Sequence, residues 1–339
     1  MEVRLEDAAR SDMEKMIGAF RVSQMIAVAA RLRLADHLAE GPRALDDLAR
    51  VTGTHEDSLY RMLRALACHG VFSEAPERTF RLTPRAGWLR SDVPHSLRVT
   101  AEVVGDEWLW RPWGELLHSV TTGETAFDHL YRQSTWTWFD EHPAAAARFN
   151  EFMDAITIAE TEAIVSACDF GGARTIVDVA GGRGVLLAEI LRRYPGVRGV
   201  LFNLPSVIES ARDALGNDSL DRMDFVSGDF FREVPAGGDI YILKNIIHDW
   251  DDDRAGQILA SCRRAMGIEA STLLVVEHVV RPAPQSCLAM MGDVQMMVRA
   301  GGRNRTEKEL RELLASSGFR LERVISTTGP DVAEASLIE

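Results

Sequence analysis

Two hydrophobic rhythms run along this chain, and one replaces the other near its middle. From Asp12 to Arg31 apolar residues recur at helical spacing, through Met13, Met16, Ile17, Phe20, Met25 and Ile26. Their arc is wider than a single stripe, which predicts burial on more than one side, in a core or against a second copy of the chain. Short helices are expected next, over Leu32–Leu38, Ala44–Val51 and Glu56–His69, with Thr54 capping the last and Gly70 stopping it. Val71–Ser73 and Thr79–Thr83 read as a small hairpin. Residues 94–170 are helical and rich in aromatics, among them Trp108, Trp110, Trp113, Trp136, Trp138 and Phe139. These rings pack a core or wall an apolar chamber, and the pattern allows both. From residue 171 onward strands alternate with helices. Strands are expected at 175–180, 198–203, 223–227, 239–244, 272–278, 319–326 and 332–338, with helices at 184–194, 205–215, 252–266 and 306–317. That alternation predicts an α/β fold with a doubly wound, mostly parallel, seven-stranded sheet.

Three regions follow from these shifts: residues 1–100, a helical connecting and substrate-lining stretch at 101–170, and the sheet region at 171–339. The helix–helix–hairpin order of the first resembles a winged helix. A winged helix often binds DNA through its recognition helix. Here that helix opens with Glu56 and Asp57, which face phosphates badly, so a dimerising role is expected instead. A ligand-responsive DNA-binding regulator is the rival reading.

Composition narrows the choice. The 339 residues suit two domains, and 46% hydrophobic content allows sizeable cores. The net charge of −13 argues against a nucleic-acid partner; the first hundred residues are near neutral and the remainder carries the excess acid. No uncharged apolar run reaches the roughly 18 residues of a membrane span. The N-terminus lacks a hydrophobic secretion segment. Cys68, Cys168, Cys262 and Cys287 are widely spaced, match no metal-binding pattern and read as reduced thiols of a cytoplasmic protein.

The chemistry gathers behind the first strand of the sheet region. Thr175-Ile-Val-Asp-Val ends in Ala-Gly-Gly-Arg-Gly184, and an amphipathic helix begins at once. Glycines at the carboxyl end of such a strand let a ligand approach the backbone. A dinucleotide fingerprint needs a third glycine where Leu187 stands, so a compact nucleoside without phosphates fits better, with S-adenosylmethionine the obvious one. Asn203 ends the second strand, where an acid often holds ribose hydroxyls; its amide oxygen still accepts, without charge. Asp229 is placed for an adenine amino group, Phe230 for packing on the ring, and Lys244 leaves the end of the fourth strand.

In this order the signals resemble the class I methyltransferases, and more narrowly the small-molecule O-methyltransferases of plant phenylpropanoid and bacterial polyketide pathways. The residues that carry the resemblance are Asp178–Gly184, Phe202–Pro205, Gly228–Phe231, Leu243–Trp250 and Gly301–Thr306. It spans nearly the whole chain, because that family also has a winged-helix-like dimerisation domain. The resemblance implies a homodimer with S-adenosylmethionine bound by Gly181, Gly182, Gly184, Asn203, Asp229, Phe230 and Lys244. It implies methylation of a hydroxyl on an aromatic secondary metabolite, as in antibiotic biosynthesis. Relatives that methylate nitrogen, or bind the cofactor without transferring its methyl, are the alternatives within the fold.

Methyl transfer to a phenol, whose pKa is near 10, gains from a base that takes the proton during attack. His248 follows the fourth strand and sits at the mouth of the sheet; the resemblance implies that it is this base. Glu277, in an apolar strand, must be paired or reach solvent, and is expected to bond a histidine ring nitrogen. Asn304 stands where the family usually has a second glutamate and is expected to position the histidine without adding charge. Met153 and Met297, with Asp293 and Arg299, are candidates for the substrate chamber. Arg10 or Arg21 is a candidate for meeting a substrate carboxylate. Asp249, Asp251, Asp252 and Asp253 read as acids at a helix N-terminus, and no metal site is expected.

Overall fold

The computed structural model describes residues 2–215, 221–267 and 271–338. The chain forms two compact units, Met1–Arg111 and Pro112–Glu339.

In the first unit a long helix, Glu2–Arg31, precedes shorter ones at Leu45–Thr52 and Glu56–Cys68. Leu59, Leu63 and Leu66 lie one helical turn apart on the last of these and are buried with Leu34, Leu45, Leu48, Phe72 and Phe80. Its N-cap is His55, one residue beyond the expected Thr54, because the imidazole Nδ1 accepts from the Ser58 N–H. Thr54 instead bonds the Thr52 hydroxyl. Gly70 stops the helix at φ +67°, a conformation that favours glycine. The hairpin of β2 (Phe72–Ala75) and β3 (Thr79–Leu82) gains a third strand, β1 (Arg43–Ala44), which pairs antiparallel with β3. On the long helix, Met13, Met16, Ile17 and Phe20 form one exposed apolar row.

The second unit is built on a seven-stranded sheet. Its strands are β4 (Thr175–Val179), β5 (Arg198–Asn203), β6 (Met223–Ser227), β7 (Ile240–Lys244), β8 (Thr272–Glu277), β9 (Phe319–Ile325) and β10 (Asp331–Leu337). They lie in the order β6-β5-β4-β7-β8-β10-β9, with β10 antiparallel to both of its neighbours. The central strands β4, β7 and β8 are buried along nearly their whole length, which is why they read as apolar runs rather than alternating ones. Val177, Tyr241, Leu243 and Val275 pack on one face against Ile258 and Leu259 of the helix Asp252–Met266 and Leu310 and Leu314 of the helix Glu307–Ser316. Ile176, Ile242 and Leu274 pack on the other against Leu186, Leu187 and Ile190 of the helix Val185–Arg193 and Ile164 of the helix Pro143–Ala167. Strand order reverses between β4 and β7, and a crevice at the carboxyl ends of the strands is where such sheets bind ligands. Among the described residues, no helix is long and apolar enough to cross a membrane.

Candidate active site

The β4 turn is shaped by positive φ at Ala180, Gly182 and Gly184. Its glycines have different reasons. A Cβ on Gly181 would fall 2.3 Å from the Asp178 carboxylate, whereas one on Gly182 would meet nothing within 4 Å. Gly184 is the N-cap of the following helix, and a Cβ there would press on Leu201 at 3.1 Å. It belongs to the packing of helix on sheet and is not among the residues lining the cavity.

That cavity has a volume of about 660 Å³ and is lined by Gly181, Gly182, Asn203, Asp229, Phe230 and Lys244, all expected from the sequence. Met153 also lines it, while His248, Glu277, Asn304, Asp293 and Met297 stand outside its lining. Arg10 belongs to the other unit, where its Nε donates to Glu14.

The polar groups of the cavity are held locally. Asn203 Oδ1 accepts the Leu204 N–H at 2.8 Å, and Asp229 Oδ1 accepts the Phe231 N–H at 2.9 Å. Lys244 is nearly buried and forms an ion pair with Glu160 Oε2 at 2.8 Å. The other oxygen of Glu160 meets His278 Nε2 at 3.4 Å. Burial raises the Glu160 carboxyl, but the His278 hydrogen bond and the Lys244 charge outweigh it and leave the group below its usual range.

Asp178 was legible only as part of the glycine motif, and it is the least expected group here. It lies at the end of β4 with 1% exposure, lines the cavity, and neither carboxylate oxygen has a hydrogen-bond partner. Burial pushes its pKa up to about 7, against the pull of Lys244. A rise from 3.8 to about 7 corresponds to on the order of 4 kcal/mol. Because the folded value exceeds the unfolded one, this contribution stabilises below pH ~4 and is lost as pH climbs through about 7. Asp178→Asn is therefore expected to remove a fall in the ligand-free melting temperature between pH ~4 and ~8. Parallel thermal scans of the two proteins check this; identical pH profiles would contradict it.

Opposite the glycine turn the wall is aromatic. Trp136 stacks on Trp250 with centroids 5.9 Å apart, Phe139 stacks on Phe149 at 5.0 Å, and Phe231 meets the Trp250 ring edgewise at 4.9 Å. All five rings line the cavity.

His248 sits in a short turn, Ile247–Asp249, just beyond β7. Its Nδ1 faces Asn304 Oδ1 at 3.1 Å. Asn304 Nδ2 donates to the Ala289 carbonyl at 2.8 Å, which fixes the amide's orientation, and its backbone N–H donates to Asp293 Oδ1. An amide oxygen only accepts, so this network assigns the ring hydrogen to Nδ1 and a lone pair to Nε2. Glu277 does not reach the ring as expected. Its Oε1 accepts the His248 backbone N–H at 2.9 Å, and burial raises its carboxyl despite the pull of His248 and Arg305. Arg305, 3% exposed, donates to the carbonyls of Ile247 and Trp250, each at 3.0 Å, and so ties down both ends of the turn.

The acids after His248 divide. Asp251 caps the next helix through the Arg254 N–H, and Asp252 and Asp253 fill its first turn. Asp249 does not join them: it is 6% exposed, lines the cavity, and is paired with the buried Arg299.

Comparison with known proteins agrees with this architecture along the whole chain. Residues 113–320 match the O-methyltransferase domain family, and residues 14–92 match the O-methyltransferase dimerisation domain. Phenazine O-methyltransferase PhzM of Lysobacter antibioticus is 42% identical over 323 residues, covering 95% of this chain and 94% of that one. The crystal structure of LaPhzM superposes with a TM-score of 0.93 at 41% identity, over 97% of this chain and 99% of that one. NcsB1, an O-methyltransferase from neocarzinostatin biosynthesis, was crystallised with S-adenosylmethionine and 2-hydroxy-5-methyl naphthoic acid. It superposes at 0.83 with 31% identity, over 93% of this chain and 96% of that one.

Proposed function

Because this chain belongs to the S-adenosylmethionine-dependent O-methyltransferases, we propose that it methylates a hydroxyl on an aromatic acceptor with His248 as general base. The observation that carries this reading is the tautomer of His248: with Nδ1–H held by Asn304, the Nε2 lone pair is left to take a proton. Nε2 lies 3.9 Å from Asp249 Oδ1, and Asp249 lines the cavity, so this edge of the ring lies beside a residue of the cavity wall.

The cavity suits the cofactor. Asp178 offers two unpartnered acceptor oxygens and Asn245 Oδ1 a third, which complement the ammonium of an amino-acid moiety. Lys244 is suited to its carboxylate. Asn203 suits the ribose, and Asp229 and Phe230 suit the adenine, with Gly181 and Gly182 leaving the backbone open beneath. When bound, the cofactor supplies a methyl group on a positively charged sulfur. With that group bound, His248 Nε2 would take the proton that the acceptor's hydroxyl gives up on exchanging it for the methyl, whose bond to sulfur breaks to leave the neutral thioether. The resulting imidazolium bonds Asn304 Oδ1 through Nδ1–H. Glu277 and Arg305 act on the backbone of the turn and hold the ring where the proton leaves. Flat acceptors suit the rings of Trp136, Phe139 and Phe149. Met153 adapts to their edges.

The test is a transfer assay with two acceptors of one shape, a hydroxynaphthoate and the matching aminonaphthoate. The proposal expects a methyl ether from the first; turnover of the amine alone would overturn it.

We further propose that the enzyme works as a homodimer through the apolar row of the first helix. Ile17 is 69% exposed in the single chain, amid Met13, Met16 and Phe20. Ile17→Glu is expected to yield monomers in light scattering at concentrations where the wild type is dimeric. A dimer of unchanged affinity would move the interface elsewhere.

A further inference from the structure

Asp249 stands between two positive or potentially positive groups. The same oxygen, Oδ1, takes the Arg299 Nη2 hydrogen bond and lies 3.9 Å from His248 Nε2. Arg299 comes from the helix Cys287–Arg299, with its guanidinium over the Trp136 and Phe149 rings at 5.2 and 5.6 Å. It is 6% exposed, and Asp249 is the acid it meets. On the opposite edge of the imidazole the partner is neutral, Asn304.

We infer that Arg299 is a positioning residue for the reaction: by engaging Asp249 it offsets that carboxylate's charge beside Nε2 of His248 and leaves this edge open to the acceptor. The inference rests on His248 being the base. An unpaired carboxylate this close would favour a proton on Nε2 through its charge. With Arg299 in place the carboxylate is already paired, and its charge beside Nε2 is offset. Glu277 also feels the His248 charge, while the other charged groups around the turn bond to its backbone or its neighbours. Glu277 bonds the His248 backbone N–H, Asp293 the Asn304 backbone N–H, and Arg305 the carbonyls of the turn together with Asp252. Arg299 and Asp249 are thus the paired charges nearest the ring's Nε2 edge.

The experiment is the pH profile of kcat/KM for wild type, Arg299→Met, Arg299→Lys, Asp249→Asn and the Arg299→Met/Asp249→Asn double variant. Removing the guanidinium is expected to move the acidic limb upward by about one pH unit or more. Arg299→Lys keeps the charge and should stay near wild type. Asp249→Asn leaves Arg299 unpaired and should move the limb downward, and the double variant should return it toward the wild-type position. A uniform loss of activity in Arg299→Met with an unmoved limb would overturn the inference and leave a packing role. Titration of the His248 resonances by NMR in the same proteins gives a second readout. If His248→Ala keeps its turnover, the base assignment fails; if NMR shows no change in the His248 titration on losing Arg299, the coupling fails on its own.

Discussion

His248→Ala is expected to lower kcat at neutral pH by at least about 100-fold while leaving S-adenosylhomocysteine affinity unchanged. Affinity is spared because the ring is outside the cavity lining, whereas Gly181, Asp178, Asn203 and Lys244 are within it. Turnover suffers because an aromatic hydroxyl with a pKa near 10 stays protonated at neutral pH and loses its proton acceptor. Fold should be kept, since Glu277 and Arg305 grip the backbone of the turn and not the imidazole. Raising the pH should recover part of the lost rate, as the acceptor ionises without help. Calorimetry with the demethylated cofactor and steady-state kinetics across pH measure both halves. Unchanged kcat would mean that orientation alone supplies the catalysis.

How much of this the sequence reveals depends on how far apart the cooperating residues lie. The β4 strand, its glycine turn and the helix behind it form one continuous segment, with a change of rhythm and glycine punctuation to mark it. They are legible for that reason, and so are the seven strands. The insertion of β10 between β8 and β9 is not, because antiparallel pairing over a short return loop leaves no mark distinguishing the order of neighbours. Gly184 looks the same as Gly181 in the motif, yet Gly181 makes room for a carboxylate and Gly184 for Leu201. Asp178 reads as one more polar residue in a motif, since the lack of any partner for its oxygens is a property of the folded surroundings. Asp249 was grouped with the capping acids by its place in the row, and only a contact 50 residues away along the chain separates it from them. Glu160, on the helix Pro143–Ala167, has no sequence signal at all; its role comes from meeting Lys244 across 84 positions. The carboxylate of Glu277 was expected at the ring because resemblance transfers residue types more faithfully than the atoms they touch.

The other large effect is expected at a residue without a side chain. Gly302 has an ordinary backbone conformation, so conformational freedom does not explain it. Space does. A Cβ there would lie 2.1 Å from the His248 carbonyl oxygen, 2.3 Å from the Asp249 carbonyl carbon and 2.4 Å from the Trp250 nitrogen. All three are backbone atoms of the turn around His248, so no side-chain rotation relieves the clash. The turn has little room to retreat, because Arg305 binds the Ile247 and Trp250 carbonyls and Glu277 binds the His248 N–H. Gly302→Ala must therefore push the two segments apart, at a cost of at least about 1–3 kcal/mol. The same displacement separates His248 from Asn304, which sits two residues beyond Gly302 on the segment being moved. A misplacement of about 1 Å can reduce turnover by about 100-fold. The expected result is a lowered melting temperature together with a loss of kcat approaching that of His248→Ala. Cofactor affinity should survive far better, since Gly302 is not part of the cavity wall. Gly182→Ala is the informative contrast. Its Cβ meets no neighbour, but its φ of +59° strains an alanine, and it lines the cavity. That change should weaken cofactor binding while leaving the turnover of bound enzyme closer to normal. If the two glycine variants lost affinity and turnover in the same proportion, the cavity and the His248 turn would not be separable parts of the site.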